Sequence, residues 1–571
     1  MTTVLVAQLN YALGDADHNC NKILAECVKA SSSPVDLAIF GRYSIPGYMT
    51  KYPPVPGEFV KLCETSVRLL ASATTNMHVL VGGISEKNGN INEAIYLLSE
   101  GKSKKLMEIP AFSHDSSERC SVFRVGDLRI AILLEEYALS VPTKTWLDAC
   151  NTDVLAENVD LFLLLGRSPY GYYGLMNRNS ESVIEKHRGF VYLNMLGGYE
   201  GNVFPGGSVL RSAEKTNVFS LWDEDSKLFD LPSSGDSQPS VWKGEALVTE
   251  QKIISYCSGS IADSRGFNVD KPCDGKLMSF MQQIGQISHS YEEFAYQLLL
   301  LSLRDYVKKN AFTGVILGLS GGVDSALVAA LAADALGAEN VHTFMLPTKY
   351  TSRSSIDDAQ SCAINLGVTH NVIHIEEIFL AYIKSWGTQF GTLKTGIAEE
   401  NLQSRIRGTF LMAVSNITNF LLLATGNRSE LLTGYMTLYG DTCGGFAPIK
   451  DVYKTQVYDL VRWRNRNIPC NSLCKKTNVI PETVIKKAPT AELKFNQKDQ
   501  DLLPEYSKLD KMLSMLIDRR LTKEDLVTAG YDTREVELVI SLIKKSYFKL
   551  NQVAPGPCIM RSFENTCNLL F

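Results

Sequence analysis

The chain reads as two successive α/β domains, the second built on a doubly wound parallel sheet. Three observations predict this. A length of 571 residues exceeds what one ordinary core holds. Up to about Ser208, many short apolar runs alternate with amphipathic stretches. After Tyr291, strand and helix patterns follow one another in a clean β-α-β-α order.

In the first half, a strand at 3–7 is followed by strand-like runs at 37–40, 78–82, 128–134, 159–165 and 191–196. Stretches 18–30 and 58–73 carry the apolar spacing of helices laid on a sheet. From 222 to about 272 the periodicity fades into turn-rich pieces (223–226, 231–239, 270–275), and the connection between domains is expected there. The boundaries drawn are a first domain over 1–265, a connecting segment over 266–287 and a second domain over 288–571. A long helix at 291–309 opens the second domain. Strand 314–319, helix 325–336, strand 341–345 and helix 354–366 follow, so a ligand is expected at the strand C-termini.

Composition bounds the function. With 45% apolar and 21% charged residues, the chain has the make-up of a globular protein. Its net charge of −5 offers no basic excess for nucleic acid. No apolar run approaches the ~18 residues of a membrane span. Thirteen cysteines, an odd number without CxxC spacing, and no leader-like start point to reduced thiols in the cytoplasm.

The chemistry starts at the end of the strand at 314–319. Gly318 and Leu319 feed into Ser320, Gly321, Gly322, Val323, Asp324 and Ser325, then into a helix rich in alanine and leucine. Adjacent glycines at a strand-to-helix junction let backbone N–H groups crowd a phosphate, and the helix N-terminus adds positive potential. Ser320 and Ser325 supply hydroxyls, and Asp324 suits a Mg²⁺ ligand on a polyphosphate. The plain alternative is a glycine-rich turn with a serine helix cap. The GxxxxGK[ST] pattern is absent. The SGGVDS loop instead resembles the pyrophosphatase loop of ATP enzymes that adenylate an oxygen and then let a nucleophile displace AMP.

Downstream, segments 399–407, 424–430, 437–441, 448–454 and 487–493 occur in that order. With the loop, over about 288–560, they resemble the synthetase domain of the NAD synthetases, which implies a Rossmann-like sheet. The resemblance implies ATP as co-substrate, bound by residues 318–325 with Thr425 and by Thr490 on a mobile lid. It implies deamido-NAD contacts at Asn401, Arg405, Arg407, Glu430 and Lys549, and Mg²⁺ held by Asp324 and Glu430. Asp441 and Lys454 are implied as a catalytic polar pair. Arg428 stands where the family usually has lysine. The implied reaction is attack of the nicotinate carboxylate on ATP, release of pyrophosphate, and displacement of AMP by ammonia.

Residues 3–210 resemble the nitrilase-like glutaminase domain of the long members of that family, which implies an α-β-β-α sandwich. The marks are 40–48, Gly82-Gly83, Ser168-Pro169, 194–198 and 204–208. The glutaminase triad does not carry over. Arg42 stands at the general base, Leu106 at the lysine (with Lys105 one position away) and Leu134 at the nucleophilic cysteine. Glu200-Gly201 replaces the acidic pair near the glutamine pocket, and Cys120 and Cys150 are the nearest thiols. A leucine cannot attack a carbonyl, and an arginine is no general base at neutral pH.

The expectation is therefore an ammonia-dependent synthetase with a degenerate glutaminase domain, acting on small molecules and forming a homo-oligomer. A glutamine-dependent enzyme with a rearranged site, another enzyme of the same loop class, and an inactive assembly partner are the alternatives. An effector bound in the old pocket is also open.

Overall fold

The strand-like runs of the first half pair into two sheets in the computed structural model. This structure describes residues 2–30, 34–48, 56–110, 118–126, 128–134, 159–167, 189–199, 201–212, 216–231, 251–255, 290–390 and 396–559. The chain divides into one unit of Met1–Tyr199 with Phe204–Ser288 and a second of Glu200–Val203 with His289–Phe571. The expected connecting segment, 266–287, lies outside the described residues, as do Cys150, Ser168, Pro169 and Glu200.

The first sheet contains β1 (Thr2–Gln8), β2 (Leu37–Phe40), β3 (His78–Lys87), β4 (Asn90–Ser99) and β5 (Lys102–Pro110). The second begins with β6 (Glu118–Val125), β7 (Leu128–Leu134), β8 (Leu161–Leu165) and β9 (Gly189–Leu193). A ribbon of β10 (Leu196–Tyr199) and β11 (Asn202–Pro205) precedes β12 (Val209–Ser212) and β13 (Thr216–Val218). Two later strands, β14 (Asp225–Leu231) and β15 (Gln251–Ser255), complete the unit. The sheet orders are β14-β1-β2-β3-β4-β5 and β13-β12-β9-β8-β7-β6-β15. Val4, Val6, Leu80 and Ile95 of the one join Ile130, Ile132, Leu163 and Val191 of the other in a single core, as a sandwich requires. Helices α1 (Ala16–Ala30) and α2 (Pro56–Ala73) cover the other face of the first sheet through Ile23, Val60 and Leu70.

Both β14 and β15 correct the reading of 222–272 as a connection. In β14 only Phe229 and Leu231 are buried, because the strand lies at a sheet edge and pairs antiparallel with β1 mainly through its backbone. Periodicity cannot report a strand with so small an apolar face.

The second unit opens with α3 (Tyr291–Lys309), capped at its start by Ser290. Then come β16 (Val315–Gly318), α4 (Val323–Leu336), β17 (Val341–Met345), α5 (Arg353–Leu366), β18 (Thr369–Val372), α6 (Glu376–Phe390), α7 (Ile397–Thr418), β19 (Leu421–Leu422) and α8 (Arg428–Thr433). All pairings are parallel, in the order β18-β17-β16-β19. The chain winds outward from β16 through β17 and β18, then returns to β19 on the other side. This leaves the topological switch point between β16 and β19, where doubly wound sheets open a crevice.

Helix α9 (Lys454–Arg466) packs on α3 and α4. Its fully buried Arg464 forks onto Asp334 at 2.7 and 2.8 Å, while Tyr296 and Ser472 donate to the same carboxylate. Helices α10 (Glu482–Lys486), α11 (Tyr506–Leu513), α12 (Lys523–Thr528) and α13 (Thr533–Leu550) follow. Leu432 of α8 packs with Leu509, Met512, Leu526, Val536 and Val539 in a second core. Among the described residues, no helix is long and apolar enough to cross a membrane.

Candidate active site

The switch point is lined by the glycine loop on one side and by the segment after β19 on the other. Gly321 has φ +78°, and a Cβ there would lie 2.3 Å from the Ser355 carbonyl oxygen, so only glycine fits. Ser325 ties the loop: its hydroxyl accepts from Ser320 N–H at 3.2 Å and donates to Gly322 O at 3.0 Å. Helix α4 starts at Gly322 with no side-chain cap, leaving its N-terminal potential facing the cavity. Gly318, Ser320, Val323, Thr425 and Thr490 line the same cavity of about 280 Å³.

At its floor, three charges converge. Lys454, the first residue of α9, donates to Asp324 Oδ2 at 2.5 Å and to Glu430 Oε1 at 3.1 Å. Burial pushes the Glu430 carboxyl up to about 8; Lys454 opposes that rise, whereas Asp324 and Asp499 add to it. Asp499 also borders the cavity. A donor set of hard carboxylate oxygens that repel one another fits a divalent cation, so Asp324 and Glu430 suit the Mg²⁺ expected of them.

Asn427 was missed in the sequence. Fully buried, it donates through Nδ2 to Asp324 Oδ1 at 2.9 Å and accepts from Glu430 N–H at 3.1 Å. The signal for it is the capping-box pattern, Asn followed three residues later by Glu.

The structure separates two groups that the sequence joined. Arg407 lines the nucleotide cavity and donates to Leu346 O at 2.9 Å. Asn401 and Arg405 instead face the 437–441 turn, through Thr437 Oγ1 at 2.7 Å and Leu438 O at 3.2 Å. The reason is helical: positions 401 and 405 share a face of α7, whereas 407 is about 200° away from 405.

Asp441 and Lys454 do not meet either. Asp441 accepts from Thr437 N–H at 2.7 Å, and its charged neighbours are Lys549, itself near Arg405, and Arg407. Lys549 donates to Gly434 O and Met436 O, at the C-terminal end of α8. The site thus has a phosphate end at Asp324, Glu430 and Lys454, and a second polar end at Asn401, Arg405, Asp441 and Lys549.

Asp441 gives a pH signature. Partial loss of hydration raises its carboxyl toward about 6, although the residue as a whole is exposed, against hydrogen bonds and Lys549 that favour the anion. The protein's kcat/KM is expected to fall as the pH drops through about 6. A kcat/KM that stays flat between about pH 7 and 5 would exclude this account of Asp441.

The loop 487–493 lies along the cavity edge. Glu492 accepts from the hydroxyls of Ser352 and Ser355 at 2.8 Å each, at the N-terminus of α5. Gln403 holds Leu493 O at 3.0 Å.

A family model described as NAD synthase matches residues 295–553. Among curated relatives, the glutamine-dependent NAD(+) synthetase of Thermotoga maritima is 33% identical over 97% of this chain and 95% of its own length. That of Aquifex aeolicus is 34% identical over 98% and 97%. The chain belongs to the NAD synthetase family.

Its two-unit plan, a nitrilase-like sandwich before an ATP-using synthetase unit, agrees with a solved relative. The glutamine-dependent NAD+ synthetase of Acinetobacter baumannii, in complex with ADP, has TM-score 0.65 and 28% identity over 99% of this chain and 97% of that one. A synthetase of the same description from Cytophaga hutchinsonii shares the fold at TM-score 0.70 and 17% identity, covering 100% and 97%.

In the first unit, the three residues that the resemblance sets at the glutaminase triad make other contacts. Arg42, 2% exposed, forks onto Glu93 with both contacts at 2.6 Å, and Tyr43 Oη donates to the same carboxylate at 2.8 Å. Burial would raise Glu93, but Arg42, Arg167 and the Tyr43 hydrogen bond hold it below the usual range. Leu106 and Leu134 are buried in the core between the sheets. Lys105 is the neighbouring residue on β5. It points away from that core, to Glu108 at 2.6 Å, because neighbouring residues on a strand face opposite ways. On β6, Cys120 lies opposite Leu133.

Proposed function

We propose that the synthetase unit amidates deamido-NAD to NAD through an NAD-adenylate, releasing pyrophosphate and AMP. The observation that carries this is the single cavity joining the glycine loop, the Asp324/Glu430/Lys454 cluster and Asp441. In this reading the loop N–H groups and Arg407 bind ATP phosphates, with Thr425 and Thr490 beside the nucleotide. Asp324 and Glu430 hold Mg²⁺, which when bound supplies positive charge to the polyphosphate. Lys454 stabilises charge as the carboxylate attacks. Asn401, Arg405, Asp441 and Lys549 hold the deamido-NAD end, and the 487–493 loop excludes water from the acyl-adenylate. Pyrophosphate release from ATP that depends on deamido-NAD tests it; release without that substrate would overturn it.

For nitrogen, we read free ammonia as the donor. The Arg42–Glu93 pair and the core leucines 106 and 134 support this, since none of these three positions carries the base, lysine or thiol of the glutaminase route. A second reading, glutamine as donor, is favoured by the names of relatives matching 97% of the chain, and it requires a nucleophile elsewhere in the unit. With ammonium as sole donor, NAD formation is expected. With glutamine alone in ammonia-free buffer, it is expected to fall by about 10³-fold, the order of loss when a nucleophile is removed. Comparable rates with both donors would establish the second reading.

Domain limits of 1–265 and 288–571 go with this proposal, as does a homo-oligomer. Thirteen cysteines without paired spacing support a reducing, cytoplasmic setting.

A further inference from the structure

Two of the carboxylates at the cavity floor are paired even without ligand. Asn427 Nδ2 donates to Asp324 Oδ1 at 2.9 Å, and the Asn427 backbone N–H donates to Glu430 Oε2 at 3.4 Å. One oxygen of each carboxylate is thus tied to the same residue. The other two, Asp324 Oδ2 and Glu430 Oε1, both accept from the Lys454 ammonium. Lys454 is 3% exposed, and its nitrogen lies 5.4 Å from the centre of the Tyr506 ring. The start of a helix disfavours a cation, so the two carboxylates must outweigh the N-terminal potential of α9 to keep the ammonium there.

We propose that Lys454 is a resident counter-ion, filling the position between Asp324 and Glu430 in the nucleotide-free protein and leaving it when a divalent cation arrives with ATP. This rests on the metal assignment made above. The oxygens that Asn427 turns inward are those a cation would use, and a dication and an ammonium cannot share them. At a separation of about 3 Å their repulsion is large even where solvent partly screens it. Two consequences follow. The carboxylates are never left buried and unpaired, which would be costly. The divalent ion binds weakly alone and well with nucleotide, whose phosphate oxygens add ligands and accept the displaced ammonium.

The test is Mn²⁺ binding to the nucleotide-free full chain, read from the free-ion electron paramagnetic resonance signal. Lys454→Gln is expected to bind Mn²⁺ about tenfold or more tightly than the parent, although it loses the charge expected to aid catalysis. Lys454→Arg, which keeps the charge, is expected to bind no more tightly than the parent. Asn427→Ser retains a capping hydroxyl but releases Asp324, and is expected to bind more weakly than the parent. Equal or weaker binding by folded Lys454→Gln overturns the proposal.

If that variant fails to fold, the unaltered protein decides. Lys454 is expected to resist an amine-acylating reagent without divalent ion and to react when Mg²⁺ is raised in the absence of nucleotide, as read by peptide mass spectrometry. Unchanged labelling overturns the exchange. Deamido-NAD-dependent pyrophosphate release by the unaltered protein is scored in parallel. If the exchange fails while that activity is present, only this inference falls; absence of the activity instead counts against the proposed function.

Discussion

Asp324→Asn is expected to lower deamido-NAD-dependent pyrophosphate release by about 10²–10³-fold. The substitution preserves size, and its amide oxygen can still accept from Asn427 Nδ2, as Asp324 Oδ1 does at 2.9 Å. It removes the negative charge that faces Lys454 at 2.5 Å and that is proposed to hold Mg²⁺. The loss therefore belongs in kcat, where charge developing on the phosphates must be stabilised, with a smaller change in KM for ATP. Asp357→Asn is the matched control. Its carboxylate is exposed and pairs with Arg353 on the surface of α5, and such pairs contribute about 1 kcal/mol or less. Turnover by Asp324→Asn above a tenth of the parent's would remove that carboxylate from the metal role.

The second large effect lies in the first unit. Arg42→Glu, which puts an acid where the resemblance sets the general base, is expected to destabilise the protein by about 3–5 kcal/mol. Arg42 and Glu93 are 3% and 4% exposed at their side chains, and Glu93 is held ionised by Arg42, Arg167 and Tyr43. A second carboxylate in place of the guanidinium would leave two buried acids against one another and break a forked ion pair. Restoring the base alone therefore does not restore the machinery. Urea unfolding measures the cost, and the double variant Arg42→Glu with Glu93→Arg is expected to recover a substantial part of it. If the single variant unfolds at the parent's urea concentration, the pair does not hold this part of the sandwich.

How much was legible is clearest at particular residues. The SGGVDS loop could be read because its function is local: glycine tolerance, a strand before it and a helix after it all lie within a few residues. Helices at 291–309 and 325–336 were legible because nearly every apolar position is buried against one unit. The edge strand β14 was not, since a strand with two buried side chains has almost no periodic signal. Asn427 was hidden for another reason. Its side chain acts on Asp324, 103 positions earlier, and only folding brings β16 and β19 side by side. Asp441 and Lys454 line one cavity without touching, and motif order along the chain says nothing about which end of the cavity each motif reaches.

The sequence by itself determined the two α/β domains, the phosphate loop, the family likeness, and the residues at 42, 106 and 134, which the resemblance sets at the glutaminase base, lysine and thiol. Those follow from local spacing and from side-chain chemistry that no fold can change, since a leucine has no lone pair to offer. Only the tertiary structure decided that Lys454 sits between Asp324 and Glu430, that Arg407 parts from Arg405, that Lys105 turns away from the core, and that Arg42 is answered by Glu93. These depend on which groups share a few ångströms of low-dielectric space. Coulomb interactions and burial act on that distance and not on separation along the chain.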